Sequence, residues 1–428
     1  MPPMQIPANS LWRDRSFVLF WLARNVSILG STITTVVLPI VVFRLTGSAF
    51  QTSLLATFEV IPYFFFGLVA GAIADRVNRR RLMVICDLIN TVVLGSIPLA
   101  AMLGQLTLTQ IYAVALLSAT VFVWFDAANF GALPTLVGRE RIMEANSLLW
   151  STHTLIWVIG PAIGGILAAT IDPALVIGVD AVSYTLSAVA ILLIPRTLNA
   201  AYPAEASAQA LVRRTLTDIR EGLQFLWQQR LVRDLTFLGF GNSFTGGAVL
   251  GLLVVYAVQG LGLAKKDPKI GLLFAAGAIG ALLASLLVPR LNKRFWAGRI
   301  ALTALFLNPL MLLGMVVAPS FGIGIVFYTF WTMCYTLFIV TTISLRQIVT
   351  PDRLQSRVNA SARLIAWGGQ PFGAAVGGLV AEATTVRIAY LVVGMGVVVS
   401  AAAGWFSSLR KDEKVSQKPD CVTKISQD

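Results

Sequence analysis

Asp75-Arg76-Val77-Asn78-Arg79-Arg80 is met again half a chain later as Pro289-Arg290-Leu291-Asn292-Lys293-Arg294, with the same order of Arg, apolar residue, Asn and basic pair. Each run follows an apolar stretch of about 20 residues, the length that crosses a bilayer core as a helix. Other landmarks recur at the same offset of about 213 residues. Glu140-Arg141-Ile142 with Asn146 is matched by Asp352-Arg353-Leu354 with Asn359; Gly160, Gly164 and Ala168 are matched by Gly373, Gly377 and Ala381. An offset that spans an even number of helices means a parallel duplication, with the halves related by an axis along the membrane normal. The reading is an all-α membrane protein of twelve transmembrane helices in two pseudo-symmetric six-helix bundles, with a substrate path between them near mid-membrane.

Composition agrees. Of 428 residues, 57% are apolar and only 12% charged, and the mean hydropathy is +0.78. So few ionisable groups do not cover a water-soluble globule of this size. Twelve apolar windows are found, the first at residues 17–43, the seventh at 235–261 and the last at 385–408. Unbroken runs such as Val249 to Val258 are not the alternating ten-residue strands of an outer-membrane barrel. The polar first sixteen residues lead into no short apolar segment with a small-residue cleavage site, so no removable signal is expected. Three cysteines form no paired framework and no metal-ligand spacing, so neither cofactor nor metal is expected.

The net charge of +13 falls in particular loops, a pattern of topology and not of nucleic-acid binding. With a cytoplasmic amino terminus, most of the 33 Lys and Arg collect inside, and the outer loops keep Arg44, Lys265, Lys266, Lys269 and Arg387. Both termini are therefore expected in the cytoplasm of a bacterium whose inner membrane holds the chain. The expected organisation is a bundle over 1–195, a central cytoplasmic loop over 196–234, a second bundle over 235–408 and a cytoplasmic tail over 409–428. Within the loop, Leu211 to Trp227 reads as an amphipathic surface helix.

Three motifs carry chemistry. In Gly71-Ala72-Ile73-Ala74-Asp75-Arg76-Val77-Asn78-Arg79-Arg80-Arg81, Gly67 and Gly71 lie one turn apart and permit close helix contact. Asp75 suits the amino-terminal end of a neighbouring helix, and Arg79 or Arg80 suits a carboxylate, so the cluster is a candidate cytoplasmic latch that includes Arg76. In Gly160-Pro161-Ala162-Ile163-Gly164-Gly165, the proline removes a backbone donor and the glycines allow tight packing, which together predict a stiff bend. The third is Phe125-Asp126-Ala127-Ala128-Asn129, followed by Ala132-Leu133-Pro134, Ala145-Asn146-Ser147 and Asp180.

These motifs resemble the major facilitator superfamily over nearly the whole chain. The first is similar to that superfamily's loop between helices two and three, the second to the signature of its antiporter branch, and the third to the subgroup of macrolide and catechol-siderophore exporters. The resemblance implies the major facilitator fold, no enzymatic activity and export. It also implies that Asp126 joins Arg79 or Arg80 in the latch; Arg24, at a similar depth, is the rival partner. Two departures are visible: Pro289 replaces Asp75 in the second copy, and Trp157 stands where the family has a further glycine.

An ionisable group at membrane depth is costly and is a functional candidate by default. Such groups are Arg24, Glu59, Asp87, Asp126, His153, Asp180, Arg363 and Glu382. Glu59, near the middle of its helix among Phe58, Val60 and Ile61, is the first candidate for proton coupling, with Arg24 as counter-ion and His153 as relay. Phe65, Trp124, Trp150, Trp331, Tyr335 and Trp367 are candidates to line a cavity for an amphiphilic cargo. The leading expectation is a monomeric secondary exporter in the lipid bilayer, coupling a small-molecule substrate to protons or sodium. The alternatives left open are an importer or uniporter of a small metabolite, and a non-transporting receptor or scaffold. An ATP-driven pump is not expected, since the sequence shows neither a Gly-x-x-x-x-Gly-Lys-Ser/Thr loop nor a soluble domain large enough to hold a nucleotide.

Overall fold

The protein is described from a computed structural model that covers residues 11–74, 77–199, 220–351, 354–407 and 409. Asp75 and Arg76 of the expected latch lie outside the described residues, as does the expected amphipathic helix before residue 220; its end is helical over 220–228. Among the described residues there is no β-strand. Eleven helices among the described residues are long and apolar enough to cross a membrane, and a bent pair, taken as one span, makes twelve.

The spans are α1 (Arg15–Thr46), α2 (Ala49–Ala74), α3 (Arg79–Met102), α4 (Leu108–Val137), α5 (Ile142–Thr170) and α6 (Pro173–Leu192) in the first half. The second half holds α7 (Arg230–Gly251, continued by Leu253–Val255 and Tyr256–Gly260), α8 (Lys269–Asn292) and α9 (Ala297–Val317). It ends with α10 (Phe321–Val349), α11 (Gln355–Trp367 and Gly369–Ala383) and α12 (Val386–Phe406). The duplication is visible in the boundaries: Leu108, Ile142 and Pro173 open α4 to α6, and Phe321, Gln355 and Val386, each 213 residues on, open α10 to α12.

Helices end where the sequence supplies caps for the unpaired main-chain donors. The Asp14 carboxylate accepts from the Ser16 amide at 3.0 Å, and Asn78 accepts from Arg81 at 3.1 Å. Asp172 accepts from Ala174 at 2.9 Å, with Pro173 at the first helical position, where its missing N–H costs nothing. Gly47 closes α1 at φ 66°, a left-handed conformation that favours glycine.

Two spans depart from the unbroken run expected of them. The apolar stretch from Val249 to Val258 bends by 51° after Gly251 and ends in a π-turn over Tyr256–Gly260. Hydropathy is blind to this break because every residue across it is apolar or Gly; a Cβ at Gly251 would stand 3.2 Å from the Ser53 carbonyl, so glycine is what permits the approach. The eleventh span is interrupted at Gly368.

The chain divides into two compact units, Met1–Val212 with Gly251–Ala278, and Arg213–Leu250 with Ile279–Asp428. In the first, Phe17, Phe20, Met83 and Phe125 anchor one apolar core; in the second, Leu235, Leu305, Phe338 and Leu345 anchor another. On α6, Leu175, Val179, Val182, Leu186 and Val189 are exposed at steps of three and four, an apolar stripe suited to lipid.

Candidate functional site

At the end of the first unit where α1 begins and α6 finishes, the basic residues of the latch motif fold onto main-chain oxygen. Arg79 is buried and donates Nη1 to the Gly131 carbonyl at 2.9 Å and to Thr135 Oγ1 at 3.4 Å; its own amide is taken by Asn199 Oδ1 at 2.9 Å. Gly131 makes this possible, because a Cβ there would lie 2.6 Å from the Arg79 guanidinium carbon. Arg80 Nη2 donates to the carbonyls of Ile194 and Arg196, and Arg196 is ion-paired with Asp14. The latch motif thus grips the chain leaving α6, a role its spacing does not announce. Gly71 lies within α2.

Deeper in the unit, Arg24 sets its guanidinium 5.1 Å above the Phe125 ring, with Asp126 and Asp87 close enough to act on its charge. Of the partners open to Asp126, Arg79 and Arg80 turn to main-chain oxygen, and Arg24 lies within electrostatic reach without an ion pair at contact distance among the described residues. The structure does not bring Arg24 to Glu59. That side chain stands exposed on α2 and, among the described residues, makes no ion pair or hydrogen bond. Asp87 is fully buried, and neither of its carboxyl oxygens has a hydrogen bond of ordinary geometry among the described residues.

Asp180, also buried, sews α6 to α1. It accepts from Thr34 Oγ1 at 2.7 Å, from Ser183 at 3.1 Å and from Ser31 at 3.5 Å; Ser31 also meets the Tyr184 hydroxyl at 3.0 Å. The hydroxyl-rich run Ser31-Thr32-Ile33-Thr34-Thr35 was the available signal for this network. His153 lies between Trp150 and Trp157, and the Trp157 indole donates to its Nε2 at 2.7 Å. An indole N–H only donates, so this nitrogen accepts and the relay proton, if carried, would cost that bond.

The Gly-Pro-x-x-Gly-Gly segment presents two small faces along a helix that runs continuously from Ile142 to Thr170. On one, a Cβ at Gly160 would meet Thr32 Oγ1 at 2.0 Å and one at Gly164 would meet the Ile33 backbone at 3.2 Å, so α1 lies directly on α5. On the other, a Cβ at Gly165 would meet the Gly271 Cα at 2.5 Å, against the start of α8 within the same unit. Pro161 shares this closeness, since its carbonyl would lie 2.5 Å from a Cβ at Gly271. One turn beyond, Arg44 Nη2 donates to the carbonyls of Ala168 and Lys265, both at 3.0 Å.

The aromatic candidates separate. Phe65 and Trp150 are exposed, and Trp124 stacks obliquely on Phe66 with centroids 6.3 Å apart. Trp331 has no exposed surface. Its indole donates to Asn308 Oδ1 at 2.9 Å, and its ring stacks between Tyr328 and Tyr335, so it is a packing element of the second unit and not a wall open to a ligand. Trp367 is half-buried beneath the Arg363 guanidinium, 3.9 Å from the ring centroid.

The multi-span fold is shared with known transporters. The profile of the transmembrane secretion effector family, a branch of the major facilitator superfamily, matches residues 8–424. The multidrug efflux pump Tap of Mycolicibacterium fortuitum is 24% identical over 91% of this chain and 95% of its own. The enterobactin exporter EntS of Citrobacter koseri is 28% identical over 90% and 89%. Among solved structures, the nucleoside transporter NupG superposes with a TM-score of 0.75 at 12% identity over 91% of this chain and 98% of that one. A bacterial homologue of the human lysosomal transporter Spinster gives 0.74 at 14% over 93% and 97%. The chain is a multi-pass membrane transporter and belongs to the transmembrane secretion effector family of the major facilitator superfamily.

Proposed function

We propose that this transporter is a proton-driven exporter of the bacterial inner membrane, moving an amphiphilic small molecule such as a drug or a siderophore out of the cytoplasm by alternating access. The direction and the class of cargo are supported by the relatives, an efflux pump and a siderophore exporter that align with nearly the full chain. The orientation is supported by the basic end of the first unit, where Arg79, Arg80 and Arg196 gather, as cytoplasmic segments do.

The observation that carries the coupling is a pair of carboxyls at membrane depth, Glu59 on α2 and Asp87 on α3, that have no ion pair or well-formed hydrogen bond among the described residues. A carboxyl held by salt bridges stays ionised, whereas one left without partners gains most by taking a proton. In this scheme Glu59 is loaded from the periplasmic side and unloaded to the cytoplasm as the cargo moves outward. Arg24, with Asp87 and Asp126 nearby, adjusts to the changed charge.

Everted membrane vesicles test the reading. Dye substrates and a catecholate siderophore should accumulate in vesicles that hold the protein when the lumen is made acidic, and collapse of the gradient should release them. Accumulation indifferent to the gradient, or movement only in the opposite direction, refutes proton-driven export.

A further inference from the structure

The second unit contains a cavity of about 270 Å³ walled by three helices. Helix α7 gives Leu235, Gly239 and Ser243 at steps of four, α10 gives Phe338 and Arg346 among others, and α11 gives Asn359, Arg363 and Trp367. The apolar wall is interrupted by two guanidinium groups, and no Asp or Glu is among the described residues that line it. The acidic residue next in sequence, Asp234, faces Arg233 at 4.0 Å.

Both cations are held in place, and neither has an ion pair among the described residues. Arg346 is 6% exposed; its Nη2 donates to Asn359 Oδ1 at 2.8 Å, while its Nε has no hydrogen-bond partner among the described residues. Arg363 is set one turn from Asn359 on the same face of α11, with its flat face on Trp367. Stacking occupies the face of a guanidinium and leaves its five in-plane N–H donors at the edge. Arg346 is withdrawn from water, and Arg363, whose side chain is exposed, adds a like charge at the same cavity, so a ligand that supplies the missing negative charge gains from both.

We propose that this cavity binds the anionic group of an amphiphilic ligand, a carboxylate, phosphate or phenolate received by Arg346 and Arg363 with its apolar body against Phe338 and Leu235. As an account of the cargo, the proposal rests on the exporter reading; as an account of binding, it does not. The volume suits a head group with a ring or short chain. An anionic cargo and the head group of an inner-leaflet lipid share this chemistry.

The test is equilibrium binding of 1-naphthoate and of its uncharged analogue 1-naphthamide to the purified full-length protein in nanodiscs of zwitterionic lipid. The wild type should bind naphthoate at least about tenfold more tightly, since a charge-assisted hydrogen bond is worth about 10- to 100-fold in affinity. Arg363→Gln and Arg346→Gln should each erase most of that preference, and Arg363→Lys should keep part of it. Arg363→Gln, at an accessible side chain, decides the matter should Arg346→Gln fail to fold. Displacement of naphthoate by phosphatidylglycerol in the nanodisc, lost in Arg363→Gln, would support the site and identify lipid as its occupant. Equal binding of the two probes by the wild type, or an intact preference in monodisperse Arg363→Gln, overturns the proposal. Charge-selective binding without export in vesicles would leave the site standing and refute the exporter reading alone.

Discussion

The two units repeat one packing scheme and fill it with different chemistry. In the first, α5 lies on α1 through Gly160 and Gly164; in the second, α11 lies on α7 through Gly369 and Gly373, where a Cβ would meet the carbonyls of Phe240 and Phe244 at 2.3 and 1.7 Å. Moving 213 residues along the chain turns Gly160 into Gly373, so small residues persist where backbones touch. The same step turns Arg24 into Phe237, Asp126 into Ile339, His153 into Ala366 and Asp180 into Val393. Packing is thus duplicated and ionisation is not. Carboxyls at membrane depth are concentrated in the first unit, while the cavity of the second holds two cations without one.

Exchanging the chemistry across the repeat should break this division. Val393 is fully buried beside α7, where Thr245 Oγ1 donates to its carbonyl at 3.2 Å. Val393→Asp would place a carboxyl there without the Thr34, Ser31 and Ser183 hydroxyls that serve Asp180, at a cost of about 3–5 kcal/mol. The expected outcome is loss of monodisperse protein in size-exclusion chromatography. The reciprocal Asp180→Val removes the acceptor from those hydroxyls and should cost about 1–3 kcal/mol, read as a lowered melting temperature.

The glycine seams make a smaller and graded comparison. Gly373→Ala forces a methyl against a main-chain carbonyl, which has nowhere to turn, whereas Gly160→Ala meets the Thr32 side chain first, which can rotate. Both should destabilise within the roughly 1–3 kcal/mol typical of overpacking, with the upper end for Gly373 and the lower for Gly160. Equal melting temperatures for the two variants would mean that the seams are not as different as their contacts. Smallest is the coupling between Arg24 and Asp126. A double-mutant cycle with Arg24→Gln and Asp126→Asn should give an interaction of about 0.5–1 kcal/mol in thermal stability.

The sequence made the fold legible because a membrane leaves few options: long apolar windows must be helices, and an offset shared by Gly160 and Gly373, or by Arg76 and Arg290, reveals the repeat. The bend after Gly251 escaped because hydropathy does not register a break among apolar residues. At the site, depth along a helix is readable at about 1.5 Å per residue, so Arg24 and Asp126 could be matched in height. Rotation about each helix axis is not readable in the same way, so the sequence pairs Glu59 with Arg24, whereas in the structure that cation lies within electrostatic reach of Asp126 and Asp87. Hydrogen bonds to main-chain oxygen, such as those of Arg79 and Arg80 onto Gly131 and Ile194, leave no residue-type signature at all.

Coupling that belongs to the first unit is tested by Glu59→Gln in proteoliposomes, with two readouts taken from one preparation. Cargo exchange at equal pH on both sides needs alternating access but no proton transfer; accumulation against a gradient needs both. Glu59→Gln should keep exchange within about twofold of wild type and lose at least about tenfold of the gradient-driven accumulation. Undiminished accumulation by Glu59→Gln would contradict coupling through the first unit.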